Sequence, residues 1–469
     1  MDHAGRLGAA WLPLAGATMI ALASAFALSG GSLVAAALPV VGLAAFLLIL
    51  RPRVVLGVFL AAVILFEDDA EGFLPGRQIL YEGPPSLAET VFVLLVAATA
   101  IELILGHRPV LLPSPFTLPL FLMAVAAGGG VLTGYLAGAD PVGIINALRA
   151  MLPLIVLPIL MVNLIRDAGT AFAMALGGVI LAIVKSCEGL FAWATNSGRP
   201  YGDTSITFYE PAANVLLLLL VLTAVAAVVK HAPLAWWVRG ASVLALVTLV
   251  LTFRRSFWIG TLLALLIVLL LGSGARGWRL LVPALVVAVT AGYVAVQFVG
   301  SRELEGSVAE RALTLEPSRL IANKEDRYRI DEQVNVLAEI RAHPLGGLGF
   351  GVPWRATHPL PFEWEGGRTY VHNAFLLQWL RSGVLGALAY FSLMLTLLVT
   401  AYRLAGRLRD GRVRALTLAV AAAVPGLMVI ELTAAYGGVD YRFSVVLGAI
   451  VGWIAALSRI ASEDAAVVD

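Results

Sequence analysis

The stretch PAANVLLLLLVLTAVAAVV, residues 211–229, holds 19 residues and no charge. As a helix it is about 28 Å long, close to the roughly 30 Å thickness of a bilayer's hydrocarbon core. Similar apolar runs recur near 9–28, 33–50, 54–66, 87–106, 115–135, 143–164, 169–192, 236–253, 257–272, 279–299, 383–403, 414–434 and 441–458. Together they predict about fourteen membrane spans. Composition agrees: 60% of the chain is hydrophobic, only 13% is charged, and mean hydropathy is +0.91. A water-soluble protein of this length does not carry that balance. The expected fold is all-α, a polytopic transmembrane bundle of about 12–14 helices. Residues 1–469 read as a single integral membrane domain in contact with membrane lipids.

Other classes are excluded early. The net charge of +2 is spread over short connections rather than gathered into a basic stripe, so nucleic acid is not an expected partner. One cysteine, Cys187, rules out an intrachain disulfide or a cysteine metal cluster. Ala25-Phe26-Ala27 imitates a signal-peptidase site, but its apolar run is long and a second follows at once, which reads as an uncleaved first helix.

Lysine and arginine favour cytoplasmic connections. With the N-terminus inside, those connections hold Arg51, Arg53, Arg108, Arg166, Lys230, Arg276, Arg279 and the group Arg403, Arg407, Arg409, Arg412 and Arg414. The opposite side holds Glu67, Asp68, Asp69, Glu71, Glu82, Asp140, Asp203 and Glu210 against Arg77. Both termini are therefore expected in the cytoplasm. The long polar segment 300–372 falls on the outer side. It contains a helix-like stretch, 329–340, and then the turn His343-Pro344-Leu345-Gly346-Gly347-Leu348-Gly349.

Two features of that side suggest chemistry. His372 stands where the polar loop meets the membrane, and imidazole is the side chain most easily used as a base near neutral pH; a structural hydrogen-bonding histidine is the alternative. Arg254 and Arg255 lie at the same boundary, against the usual charge bias. One arginine there is explained by snorkelling to headgroups, but two adjacent guanidinium forks match a phosphate or pyrophosphate. Charges inside or beside the spans form a third group. Lys185 and Glu188 are spaced to neutralise each other, Asp440 and Arg442 either pair or line a site, and Arg149 carries the same default expectation of function.

At this point the residues resemble the O-antigen ligase and O-antigen polymerase superfamily of bacterial membrane glycosyltransferases. His372-Asn373, nine residues and then Gly383-Val384-Leu385-Gly386 is similar to that family's pattern after its large periplasmic loop. Arg254-Arg255-Ser256 resembles its Ser-Arg-Gly signature in part, with Arg255 on the arginine position. Arg329, or Arg327 in another register, resembles the arginine that opens a helix running into a Pro-Leu-x-Gly-x-Gly turn; the tryptophan often found shortly after it is absent. The resemblance implies transfer of a glycan from an undecaprenyl-diphosphate carrier to a glycan or lipid A-core acceptor, outside the cytoplasmic (inner) membrane. It implies His372 as base, Arg255 and Arg329 as stabilisers of the leaving pyrophosphate, and Arg254, Arg327 and Asn373 as substrate contacts. No acidic cluster has metal-ligand spacing, so neither a metal nor another cofactor is expected. A flippase or other transporter is the rival reading, and expects repeated halves with interrupted helices at the midplane.

Overall fold

The structure, a computed structural model, describes residues 51–66, 86–195, 211–273, 323–364 and 367–468. Among the described residues it has twelve helices and no strand: α1 Pro52–Leu65, α2 Leu87–Leu105, α3 Thr117–Leu136, α4 Pro141–Leu164, α5 Ala168–Thr195, α6 Pro211–Val229, α7 Trp236–Leu251, α8 Arg255–Ser273, α9 Lys324–Ala342, α10 Ala374–Arg407, α11 Gly411–Glu431 and α12 Tyr441–Val468. Nine of them are long and apolar enough to cross a membrane; α1 and α7 are shorter apolar helices. The chain is an all-α polytopic helical bundle. The spans expected at 9–28, 33–50 and 279–299, Ala25-Phe26-Ala27, and the loop's first part, 300–322, lie outside the described residues.

The chain divides into two compact units. In the first, Met1–Leu60 with Gln78–Val110, Phe59 of α1 meets Phe92 of α2 at 5.7 Å between ring centroids. The start of α2 is fixed by a capping box: Ser86 Oγ accepts from the Glu89 N–H and the Glu89 carboxylate accepts from the Ser86 N–H.

The second unit, Ala61–Arg77 with Leu111–Asp469, carries the functional residues. Its centre is α11, packed against α6, α8 and α10, while α4 packs along α12 and α3 along α10. Lipid tails are as apolar as leucine, so membrane helices associate through close packing of small residues. Gly260 of α8 and Gly426 of α11 meet backbone to backbone, where a Cβ on Gly260 would lie 2.8 Å from the Gly426 carbonyl. Gly448 and Gly452 of α12 admit Pro153 and Met161 of α4 in the same way. Apolar side chains that find no helix, such as Leu118, Phe121, Leu132 and Leu136 on α3, face outward, as a bilayer requires.

The buried charges have partners. Lys185 and Glu188 pair at 2.7 Å on α5. Arg442 donates from Nε to the Val63 carbonyl (2.8 Å) and from Nη2 to that of Ile64 (3.0 Å), where the chain leaves α1. Cys187 points outward from α5 and fills no core position.

The element that builds the site is the polar helix α9. Asn323 caps it by accepting from the Glu325 N–H (2.8 Å), acids fill its first turn, and Arg341 sits in its last. Its buried stripe is Tyr328, Glu332, Asn335, Val336 and Ile340, at helical spacing. After His343 the chain turns and docks on α10. The span expected from 383 in fact begins at Ala374, because Asn373 Oδ1 accepts from the Leu376 N–H (3.1 Å) and starts the helix earlier.

That helix then breaks at Ser382 and Gly383, the glycine having φ +66° and ψ −169°. In an unbroken helix the Leu380 carbonyl would accept from the Val384 N–H. Here each pairs with the turn instead: Leu348 N–H donates to Leu380 (2.6 Å), and Val384 N–H donates to Pro344 (3.1 Å). Trp379 Nε1 donates to the same Pro344 carbonyl at 2.9 Å. A side chain on residue 383 would collide with the carbonyl of Leu345. Gly383→Ala is therefore expected to destabilise the protein by roughly 3 kcal/mol or more, or to prevent folding. Gly178→Ala on α5, where a new Cβ meets nothing within 4 Å, is expected to be neutral or stabilising by up to about 1 kcal/mol. Thermal unfolding in detergent, with both variants beside wild type, measures the difference.

Candidate active site

His372 is buried immediately before α10, and a single carboxylate of α9 holds it. Glu332, with no exposed surface, accepts from the His372 backbone N–H at 2.7 Å, and both of its oxygens lie 3.1 Å from Nδ1. Three rings crowd the imidazole edge-on: Trp364 at 4.8 Å, Tyr370 at 4.9 Å and Tyr328 at 6.0 Å between centroids. Tyr370 is itself tied down, its hydroxyl accepting from the Ala435 N–H at 3.1 Å. Burial, reinforced by Glu332 and Glu363 and opposed by Arg368, pushes the Tyr328 phenol up to about 12. That hydroxyl keeps its proton at any working pH. A carboxylate only accepts, so a neutral imidazole held this way donates from Nδ1 and keeps its lone pair on Nε2.

The arginines gather on the same helix. Asp326, in the first turn of α9, receives Nη2 of Arg255 on both oxygens at 2.7 Å, and Nη1 of Arg329 lies 3.8 Å from it. Asp326 and Glu332 are six residues apart, about 9 Å along the axis. One helix thus brings Arg255, Arg329 and His372 to one end of the bundle. Arg254 turns elsewhere, donating to the Tyr436 hydroxyl at 3.2 Å in the turn between α11 and α12. Arg327 does not join the group: its side chain is 68% exposed, with Asp331 3.8 Å away. Asn373 uses its carbonyl oxygen to cap α10, which leaves the amide nitrogen as its donor toward a ligand.

Sequence reading missed three partners. Glu332 and Asp326 were passed over among the acids of a polar helix; the signal was that Glu332, one turn after Tyr328, falls on the stripe that the helix buries. Arg381, inside the His-Asn to Gly-x-x-Gly spacer, is buried and donates to the carbonyls of Thr369 (3.3 Å) and Gly438 (3.5 Å). It joins the segment before His372 to the turn before α12. Among the described residues no three His, Cys, Asp or Glu side chains group as metal ligands would.

Residues 240–391 match the family model described as O-antigen ligase. Over that third of the chain the protein is similar to the O-antigen ligase family. The match begins in α7 and ends in α10, beyond Gly386, so it takes in Arg254, Arg255, α9, His372 and Asn373. No curated protein matches the chain. This match and the membrane-length apolar helices among the described residues support a multi-pass membrane protein of cell-surface polysaccharide ligation or polymerisation, with lipid-linked glycans and their acceptors as the general substrate class.

The Arg255–Asp326 pair is nearly dry, so its loss exposes one charge to an unfavourable environment. Asp326→Ala is expected to lower stability by about 2 kcal/mol or more. Arg327→Ala, at an exposed pair, is expected to change it by less than about 0.5 kcal/mol. Thermal or denaturant unfolding of the two purified variants checks the contrast.

Proposed function

We propose that the protein transfers a glycan from an undecaprenyl-diphosphate carrier to a sugar hydroxyl, as a ligase or polymerase working at the outer face of the cytoplasmic membrane. The observation that carries this reading is that α9 ties a buried histidine and a pair of arginines into one site. The acceptor O–H attacks the anomeric carbon, its proton passes to Nε2 of His372, and the bond from that carbon to the diphosphate oxygen breaks. Undecaprenyl diphosphate leaves with the bonding pair. Arg255 and Arg329 face the charge that grows on it, an interaction stronger in the transition state than before it. Attack from the side opposite the leaving group inverts the anomeric centre. Two guanidinium groups supply the positive charge, so transfer is expected to persist in chelator.

In the absence of donor, Asp326 occupies the Arg255 fork, and the diphosphate competes with it for the same N–H groups. Asn373 and Arg254 contact the sugar or the diphosphate, while Arg327 stays at the rim. The polyprenyl chain runs along the apolar helix faces. Lipid A-core is the acceptor for a ligase and a second lipid-linked repeat unit for a polymerase. The site end is periplasmic in this reading, and both chain termini are cytoplasmic. The transporter alternative asks for binding groups shared between repeated halves; the clustering of His372, Arg254, Arg255 and α9 at one bundle end favours transfer.

A reconstituted assay with an undecaprenyl-diphosphate-linked oligosaccharide, a membrane extract as acceptor source and excess chelator tests the reading, and the product's mass separates ligase from polymerase. His372→Ala is expected to lower the rate by about a hundredfold or more while the protein still inserts and binds donor. Wild-type product formation by that variant removes His372 from the mechanism. Arg255→Lys, which exchanges a fork for a point charge, is expected to lose about a hundredfold in rate. Undiminished turnover makes Arg255 an interfacial anchor.

A further inference from the structure

We propose that Glu332 is the positioning residue of the transfer reaction: its carboxylate fixes His372 as the Nδ1–H tautomer, aims Nε2 at the acceptor hydroxyl, and stays opposite the imidazolium that forms when the proton arrives. The inference rests on His372 being the base, and extends it to a residue in a different segment of the chain.

Three observations carry it. First, the Glu332 carboxylate meets both the backbone and the ring of one residue. Oε2 takes the backbone N–H of His372 at 2.7 Å, and both oxygens sit 3.1 Å from Nδ1. The backbone bond fixes where residue 372 lies, and the ring bonds fix how its imidazole is turned. A carboxylate only accepts, so the proton resides on Nδ1 and the lone pair on Nε2. Second, Glu332 has no exposed surface. A carboxylate is costly to bury, and a neutral side chain of the same shape usually serves packing as well or better. Glutamine would fill the volume and still accept the backbone N–H. What it would not supply is an acceptor-only group for Nδ1 and a negative charge facing the ring.

Third, the imidazole cannot easily escape that partner. Trp364, Tyr370 and Tyr328 pack edge-on around it, and Tyr370 is pinned to Ala435. Tyr328 and Glu332 lie one turn apart on the buried stripe of α9, so a single helix supplies both a wall of the cage and its carboxylate. The arrangement matches the role of the acid in a Ser-His-Asp triad, which orients the base and stabilises its protonated form without taking the proton itself.

The test uses full-length protein in nanodiscs with the undecaprenyl-diphosphate-linked oligosaccharide as donor. Glu332→Gln keeps size and the backbone acceptor but offers Nδ1 an amide. Its kcat is expected to fall by about a hundredfold or more, with KM for the donor changed by less than about threefold. Nitrogen NMR of histidine-labelled protein supplies a readout that packing alone does not move. The protein has 6 histidines, and the His372 signal is identified by its loss in His372→Ala. Wild type is expected to show the proton on Nδ1, and Glu332→Gln a shift of population to Nε2–H. Glu332→Asp, which keeps the charge one methylene further back, is expected to hold the wild-type tautomer and to recover at least about tenfold in kcat over glutamine. It also serves if the glutamine variant does not fold.

The inference is overturned if a folded Glu332→Gln keeps kcat within about threefold of wild type, or if the tautomer is the same in wild type and Gln variant. An Asp variant no faster than Gln overturns it too. Failure of the underlying reading looks different: His372→Ala then remains active, whatever the NMR shows for Glu332.

Discussion

The break in α10 at Gly383 and the turn at 343–349 occupy each other's space, and the site hangs on that fit. The helix gives up one internal hydrogen bond, from Val384 N–H to the Leu380 carbonyl, and both groups are satisfied by the turn. Neither piece is complete alone: the broken helix would leave two backbone groups unpaired at a membrane boundary, where that is costly, and the turn would have nothing to fix its direction. Only glycine permits the contact, because its φ is positive and a Cβ would strike the Leu345 carbonyl. The consequence is geometric. Because α9 runs straight into this turn, locking the turn fixes the helix's position over His372. The two glycine-bearing motifs of the sequence are the two halves of one joint.

What α9 then contributes is negative charge at set intervals. Asp326 holds Arg255 and lies near Arg329, Asp331 lies 3.3 Å from Nε2 of His358, Glu332 holds His372, and Glu339 accepts from the Arg355 N–H at 3.1 Å. An amphipathic helix ordinarily docks through apolar residues. This one docks its central turns through Tyr328, Glu332 and Asn335, and Asn335 bonds the carbonyl and N–H of His358. Polar docking in a dry interface stabilises less than apolar docking but fixes orientation more strictly, since a misplaced partner leaves a buried group unpaired. A site that must aim an imidazole nitrogen needs orientation more than stability.

The parts of this molecule that follow from local rules were readable in the sequence. Apolar length located every described membrane helix, the Pro-Gly turn marked the end of α9, and the helix-like stretch from Arg329 proved to start five residues earlier, at Lys324, just after its Asn323 cap. The beginning of α10 was missed because 374–382 contains Gln378 and Arg381, which lower its hydropathy; both are buried against the turn at 437–438 rather than in lipid. Glu332 was illegible for a different reason. Its partner is forty residues away, and pairing across a loop leaves no periodic trace. Exposure distinguishes Arg329 from Arg327, which sequence left as alternatives: two residues on a helix are about 200° apart, so only one can face Asp326.

The placement of Asp326 bears on the diphosphate site proposed for the arginine cluster. Arg255 is the first residue of α8, and Asp326 lies in the first turn of α9, so their ion pair is a meeting of two helix N-termini. Each N-terminus carries unsatisfied N–H groups and a partial positive charge. Together with two guanidinium groups they make a region that holds an anion even without substrate, and the chain fills it with its own carboxylate. A diphosphate has more charge and more acceptor oxygens than one aspartate, so it is the stronger occupant of the same field. In the proposed reaction, Asp326 keeps the arginines ordered until a donor arrives, and the cost of displacing it discriminates against singly charged anions. Glu332, which holds His372, lies some 9 Å further along α9 than Asp326, so the base and the arginines are set side by side on one helix.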